Sequence, residues 1–152
     1  MTRSLTVPAV AAALLATAVT AAAEAPALKG LAPKGLRIGA AVNRKQAGGN
    51  DAKAVAIVSR QFDTVTAEND LKWERVHPEP DRFDFEPADR YVEFGAKRGM
   101  FVVGHVLLWH QQTPGWVFAG PDGGKLDRET ALARLRSHIH AVAGRYKGRI
   151  GG

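Results

Sequence analysis

The chain has 152 residues, of which 45% are apolar, and this is enough for one domain with its own core. It contains no cysteine, which excludes a disulfide framework, a thiolate metal site and a cysteine nucleophile. The 21 basic residues outnumber the 15 acidic ones, which gives a formal charge of +6, but they are scattered along the chain. We therefore expect no nucleic-acid partner, and association with a polyanion is the weaker alternative.

Residues 1–23 have the composition of an export signal. The start is positive at Arg3, the run from Leu5 to Ala23 is almost entirely Ala, Val, Leu and Thr, and its last three alanines suit a signal peptidase. A membrane-spanning helix is the alternative, but the run is short and no positive stop follows it. We therefore expect a signal peptide cleaved before Glu24 and a secreted or periplasmic protein without membrane attachment.

Strands and helices alternate in the predicted order of elements, after a lead-in segment at residues 24–35. Short apolar runs predict the strands, which are expected at Leu36–Val42, at Phe62–Thr66 and from Met100 onward. Capping residues and helical spacing predict a helix after each strand, starting near Asp51, Pro87 and Asp127. The segments 43–49, 67–80 and 115–126 are predicted as loops, and Arg149-Ile150 as the start of a fourth strand.

This alternation indicates parallel strands joined by right-handed crossovers. A doubly wound sheet and a closed (β/α)8 barrel both fit it. Gly48-Gly49 lacks the spacing of a nucleotide-binding loop, and polar clusters follow two successive strands. Because functional residues spread over several strand ends are typical of the barrel, we favour a (β/α)8 TIM barrel, of which about the first three βα units are present.

Two clusters of polar and aromatic residues follow the second and third predicted strands. Their members are Glu68, Asn69, Lys72 and Trp73 in the first cluster and His105, Trp109, His110 and Gln112 in the second. The polar side chains offer hydrogen-bond donors and acceptors side by side, and a flat indole lies well against the C–H face of a sugar ring. The two clusters predict a site for a neutral ligand that is rich in hydroxyl groups.

Simpler structural interpretations exist for the same residues. Glu68 and Lys72 could form a surface ion pair of little energetic value, and Trp109 could fill a core. We expect no metal site and no cofactor, because His105 and His110 would point to opposite faces of a strand and no third ligand is evident. His138 and His140, two apart on a helix, would also face different ways.

Three motifs, in order along the chain, resemble glycoside hydrolase family 10. They read T-A-E-N-D-L-K-W at Thr66–Trp73, F-D-F-E-P-A-D at Phe83–Asp89, and G-H-V-L-L-W-H-Q-Q-T-P-G-W at Gly104–Trp116. The resemblance extends over residues 36–150. It implies a (β/α)8 barrel and a monomeric endo-1,4-β-xylanase that hydrolyses internal bonds of xylan with retention of configuration.

The resemblance also implies roles for the residues of the two clusters. Glu68, Asn69 and Lys72 would bind xylose hydroxyls on the non-reducing side of the cleavage point, and His105 and Gln112 would act around the neighbouring sugar. Trp109 would form part of the wall there, while His110 and Trp73 would be supporting residues. Departures from the family pattern at Leu71, Val103 and Val106 affect the fine tuning of the subsites.

Neither catalytic residue of such an enzyme is found in the sequence. Retaining glycosidases need two carboxyl groups about 5–5.5 Å apart. The resemblance implies an acid/base glutamate after an Asn on the fourth strand and a nucleophile on a later one, but the sequence has no Asn-Glu dipeptide. We therefore expect residues 36–152 to be the N-terminal part of a truncated barrel that is inactive alone. A secreted protein that binds xylan without cutting it is the alternative.

Overall fold

The computed structural model describes residues 24–120 and 122–152, and the expected signal peptide lies outside them. Strands β1 (Gly39–Val42), β2 (Thr64–Ala67) and β3 (Phe101–Val103) form one parallel sheet in that order. Thr64 pairs with Gly39 on one side and with Phe101 on the other. The three predicted strands are confirmed, and their carboxyl ends meet at one edge of the sheet.

Six α-helices lie within the described residues: α1 (Leu28–Leu31), α2 (Arg44–Ala47), α3 (Ala52–Gln61), α4 (Trp73–Val76), α5 (Glu86–Ala96) and α6 (Arg128–Tyr146). The three long ones are the predicted crossover helices. Asp51 and Asp127 cap α3 and α6 as expected, because their Oδ1 atoms accept the backbone N–H groups of Ala54 (3.1 Å) and Thr130 (2.9 Å). None of the helices described is long and apolar enough to cross a bilayer.

Two of the segments predicted as loops contain short α-helices, and the third, at 115–126, begins with a 3-10 helix at Gly115–Val117. In α2, Asn43 Oδ1 accepts the N–H of Gln46 at 3.1 Å and Gln46 Oε1 accepts the N–H of Asn43 at 3.0 Å, which is a capping box. In α4 the first residue, Trp73, and the last, Val76, are both buried. Each helix is a single turn, too short to show helical periodicity, so the loop predictions at 43–49 and 67–80 were wrong at these points.

The core lies between the sheet and the helices around it, with α5 contributing the most buried residues and α3, α4 and α6 the others. Gly95 of α5 sits so close to the sheet that a Cβ atom there would lie 2.5 Å from Val102 Cγ2 and 2.9 Å from Val65 Cγ1. The buried Tyr91 hydroxyl lies 2.7 Å from the carbonyl oxygen of Val65 and 2.8 Å from that of Val103, so β2 and β3 share it as a donor. These contacts hold the two strands, and therefore the loops that follow them, in fixed relative positions.

The last residues of the chain run along the outer edge of β3. The N–H of Gly151 donates to the carbonyl of Val102 at 3.0 Å, and the N–H of Gly104 donates to the carbonyl of Gly152 at 2.6 Å. Arg149-Ile150, where a fourth strand was predicted to start, lie just before this contact and have no strand assignment. The backbone pairing with β3 begins at Gly151, two residues after the predicted start at Arg149.

Candidate functional site

The loops that follow β2 and β3 lie against each other at the carboxyl edge of the sheet. The backbone N–H of Glu74, beyond the first loop, donates to the carbonyl of Gln112 in the second loop at 3.0 Å. The N–H of Glu68 donates to the carbonyl of Val42 at 2.9 Å, which ties the first loop to the end of β1. The prediction that the two sequence clusters meet is confirmed by this arrangement.

Four residues from the two loops form what we call the Lys72 cluster: Asn69, Lys72, Trp109 and Gln112. Lys72 is only 9% exposed, and its Nζ donates to Asn69 Oδ1 at 3.0 Å and to Gln112 Oε1. The same Nζ lies 4.8 Å from the centroid of the Trp109 ring, which places the cation over the aromatic face. The lysine is therefore held on three sides by neutral partners.

Gln112 connects the loops through both its backbone and its side chain. Its Nε2 donates to Asn69 Oδ1 at 3.1 Å and to Glu74 Oε1 at 3.2 Å. Its φ of 52° lies in the left-handed region, which a residue with a Cβ rarely adopts and which costs about 1–2 kcal/mol. This backbone conformation accompanies the contact of its carbonyl with Glu74.

Glu74, which contacts Gln112, was not among the residues predicted to lie here. It lies one position beyond the Thr66–Trp73 motif, at the second position of α4. Its proximity to Gln112 depends on contact between two loops 38 residues apart in the chain. The only signal in the sequence was its place directly after Lys72-Trp73, and this signal does not tell a surface residue from a site residue.

The two histidines of the second loop flank Trp109. The His105 ring is tilted by 54° to the Trp109 ring, with 6.4 Å between the centroids, and the His110 ring meets it edge-on at 5.2 Å. Since β3 ends at Val103, neither histidine lies in a strand, and the prediction that they point to opposite strand faces does not apply. Both side chains are exposed beside the Lys72 cluster.

Glu68 lies next to Asn69 in the chain with an exposed side chain. The ion pair with Lys72 that a surface interpretation would require is not among those formed by the described residues, in which Lys72 binds Asn69 and Gln112 instead. Glu68 is therefore free to meet a ligand at the rim, but the structure does not bring its carboxylate into the Lys72 cluster.

Trp73, which the sequence predicts as a supporting residue, lies in the core beneath the Lys72 cluster. It is 1% exposed and stacks on His138 of α6, with 3.8 Å between the ring centroids and 4° between the planes. His77 Nδ1 lies 3.3 Å from His138 Nδ1 in the same buried stack. Burial, and then the nearby His77, lower the pKa of His138 to about 4. Trp73 thus packs in the core directly after Lys72 and supports the site from below.

The arrangement is suited to holding a neutral polar ligand. Because Asn69 Oδ1 already accepts two hydrogen bonds, the Nδ2 hydrogens of this residue remain as donors, and half-buried Trp109 offers a flat apolar surface beside them. Within residues 24–120 and 122–152, no group of three or more His, Asp or Glu side chains is arranged to hold a metal ion.

Comparison with known proteins identifies the family of the chain. Residues 28–151 match the model of glycosyl hydrolase family 10. The chain belongs to this family. It is 43% identical over 127 residues to a beta-1,4-xylanase of Dictyoglomus thermophilum, a match that covers 84% of this chain and 33% of the relative. It is 42% identical over 129 residues to endo-1,4-beta-xylanase B of Paenibacillus barcinonensis, covering 84% of this chain and 37% of the relative.

Solved structures of family 10 proteins agree with the predicted fold class. An endoxylanase from a sugarcane soil metagenome superposes with a TM-score of 0.79 at 38% identity, over 84% of this chain and 38% of that protein. Xylanase XynB of Paenibacillus barcinonensis, complexed with a conduramine derivative, superposes with a TM-score of 0.77 at 40% identity, over 85% and 38%. The chain thus has the first βα units of a TIM barrel and spans little more than a third of the length of these relatives.

Proposed function

We propose that this chain is the substrate-binding part of an endo-1,4-β-xylanase and that the Lys72 cluster binds a xylose unit on the non-reducing side of the scissile bond. The observation that supports this most directly is the convergence of Asn69, Lys72, Trp109 and Gln112 from two successive strand ends. His105 and Glu68, exposed at the rim of the same edge, would complete the contacts to neighbouring hydroxyls.

The chemistry of the cluster favours a sugar over a charged ligand. A pyranose has hydroxyl groups that donate and accept along its rim, and C–H groups on its face. Amide, ammonium and imidazole groups match the rim, and the Trp109 ring matches the face. Two of the three N–H groups of the ammonium are used by side-chain oxygens and an aromatic ring lies beside it, so it has one donor left for a hydroxyl group and no free charge for an anion.

Hydrolysis in this proposal is a double displacement that needs two carboxyl groups about 5–5.5 Å apart. By the family resemblance, both glutamates belong to strands beyond the three described. Glu68 is not a substitute, since it matches a binding residue. We therefore propose that the polypeptide of 152 residues binds xylan but does not cut it. We also propose that the protein is secreted or periplasmic, and that the enzyme acts as a monomer.

The first test measures binding and hydrolysis separately. We expect the purified chain to be retained on insoluble xylan and to release no reducing sugar from it. A chimera would join residues 24–152 to the part of Paenibacillus barcinonensis xylanase B that follows its matching segment. We expect the chimera to release reducing sugar, and the same chimera with Lys72→Met to lose most of that activity. An active chimera whose rate is unchanged by Lys72→Met would contradict the role of the cluster.

A second test separates sugar binding from charge-driven association. Binding through hydroxyl groups changes little with ionic strength, whereas association of a basic protein with a polyanion weakens steeply as salt is added. We expect retention on neutral, undecorated xylan to persist at about 0.5 M salt. At this ionic strength the Debye length is close to the roughly 3 Å of a 1 M solution, so attraction between exposed charges is largely screened. Complete release under those conditions would favour the polyanion alternative.

A further inference from the structure

A polar cavity of about 230 Å³ opens directly beside the Lys72 cluster. Its lining consists of Asn43, Arg44, Asn69, Asp70 and Arg75. Asn69 belongs to both the cavity and the cluster, so a ligand held by the cluster would have this cavity within reach of its substituents. The volume corresponds to about seven or eight water molecules. It offers room for a small polar branch.

The lining of the cavity contains two arginines and one carboxylate. Arg44 donates from Nε (3.1 Å) and Nη2 (2.8 Å) to the same oxygen of Asp70, whose side chain is only 8% exposed. The pair is neutral as a whole, and the remaining N–H groups of Arg44, a side chain 53% exposed, are not used by Asp70. Arg44 therefore already neutralises Asp70, the carboxylate in the lining of the cavity.

Arg75 brings a second guanidinium to the cavity. Its nearest acidic group is Glu74, whose Oε1 lies 3.5 Å from Arg75 Nε and also accepts from Gln112 Nε2. The Arg75 side chain is 52% exposed, and its Nη groups have no carboxylate partner within the described residues. Asn43 lines the same wall, and its Oδ1 is occupied by capping α2, so its amide hydrogens also remain as donors.

We propose that this cavity binds the carboxylate of a uronic-acid substituent on the xylan backbone, with Arg44 and Arg75 as its cationic partners. The inference rests on the proposed function, because Asn69 connects the cavity to the backbone sugar. A planar carboxylate matches the fork of N–H groups that a guanidinium presents. A neutral branch would gain little from a second arginine, because hydrogen bonds to its hydroxyl groups would only replace those that they make with water, and the donors outnumber the acceptors that are still free in the lining.

The test compares three xylotrioses of equal backbone length in titrations of the whole chain: one linear, one with a glucuronic-acid branch and one with a neutral arabinose branch. We expect the acidic compound to bind about fivefold more tightly than the linear one, as for a half-exposed ion pair of about 1 kcal/mol. We expect this gain to vanish at high salt and the arabinose branch to show none.

Two variants locate the effect. Arg75→Gln should bring the ratio of acidic to linear affinity close to one, while Arg82→Gln should leave it at the value of the unmodified chain. Arg82 is the matched control, because it is exposed and pairs with Glu79 outside the cavity. Arg44→Gln would leave Asp70 buried and unpaired, so Arg44→Lys is used instead. Lysine keeps the positive charge but lacks the forked N–H groups of a guanidinium, so the ratio of acidic to linear affinity should fall.

The outcomes are distinguishable. If linear xylotriose does not bind, the proposed function fails and this inference fails with it. If linear xylotriose binds and the acidic compound binds equally well, the cavity has no role in branch recognition while the proposed function stands. Equal gains in affinity from the arabinose and acidic branches would show that the cavity recognises the shape of a branch, and would overturn the proposal that it recognises a carboxylate. Inorganic phosphate binding as tightly as the acidic sugar would indicate a general anion site and also overturn it.

Discussion

Gln112 Nε2 lies 3.1 Å from Asn69 Oδ1, although the two residues are 43 positions apart in the chain. The first of them belongs to the loop after β3 and the second to the loop after β2, so this hydrogen bond connects the ends of neighbouring strands. Lys72 Nζ is bonded to the side-chain oxygens of both residues. The site thus depends on two loops being held in register by the sheet beneath them.

Replacement of Gln112 should weaken sugar binding much more than replacement of its neighbour. Gln112→Ala removes the bonds to Asn69, Lys72 and Glu74, which leaves a nearly buried ammonium with one fewer acceptor. We expect a loss of about tenfold in affinity for xylotriose, as for a hydrogen bond to a charged group. Gln111→Ala is the matched control, since this residue is adjacent and exposed, and calorimetric titration should show no change. Equal losses of affinity in both variants would show that the Lys72 cluster is not part of the binding site.

Replacement of Gly95 by alanine should destabilise the fold because it disturbs the packing of α5 on the sheet, whereas replacement of Gly144 should not destabilise it. An alanine Cβ at position 95 would meet Val102 at 2.5 Å and Val65 at 2.9 Å. We expect Gly95→Ala to lower the free energy of unfolding by about 1–3 kcal/mol, in urea denaturation followed by circular dichroism. Gly144, in α6, has nothing within 4 Å of such a Cβ, so Gly144→Ala should be neutral or stabilising by up to about 1 kcal/mol. A stable Gly95→Ala variant would show that α5 does not pack tightly on the sheet.

The stability of the chain should fall in mild acid because of His138. Its pKa is lowered from 6.5 to about 4 in the folded state, first by burial and then by the nearby His77. The unfolded chain therefore takes up the proton first as the pH falls. We expect the free energy of unfolding to decrease between about pH 6.5 and pH 4, by up to about 3 kcal/mol, with no contribution from this residue above that range.

Two variants assign this pH dependence to one residue. His138→Gln should flatten the decrease between pH 6.5 and 4 even if it lowers stability overall, because glutamine does not titrate. His140→Gln should leave the decrease intact, since His140 lies on the exposed side of the same helix. The same slope in all three proteins would show that other groups cause the loss in acid.

The periodic parts of the fold could be predicted from the sequence because their signals are local. Asp51 and Asp127 cap the helices that the apolar spacing indicates, and each strand falls within or beside an apolar run. The one-turn helices were not predicted. The capping box at Asn43 stabilises α2, and the burial of Trp73 stabilises α4. Neither feature has a helical period.

The contacts among the candidate site residues could be predicted only in part. Asn69, Lys72, Trp109 and Gln112 come together as their positions after two strands suggested. Trp73 lies in the core because its stacking partner, His138, comes from a helix far along the chain, a contact that no local pattern reveals. Glu74 is next to Gln112 for a similar non-local reason.

The most direct test of the sugar site follows individual side chains by NMR while xylotriose is added to the labelled chain. We predict that the side-chain amide signals of Asn69 and Gln112 and the indole N–H signal of Trp109 shift together with one affinity. The indole signal of Trp116, which donates to the carbonyl of Pro78 away from the Lys72 cluster, should stay in place. Shifts confined to Trp116, or no shift of Asn69 and Gln112 at saturating sugar, would contradict the account.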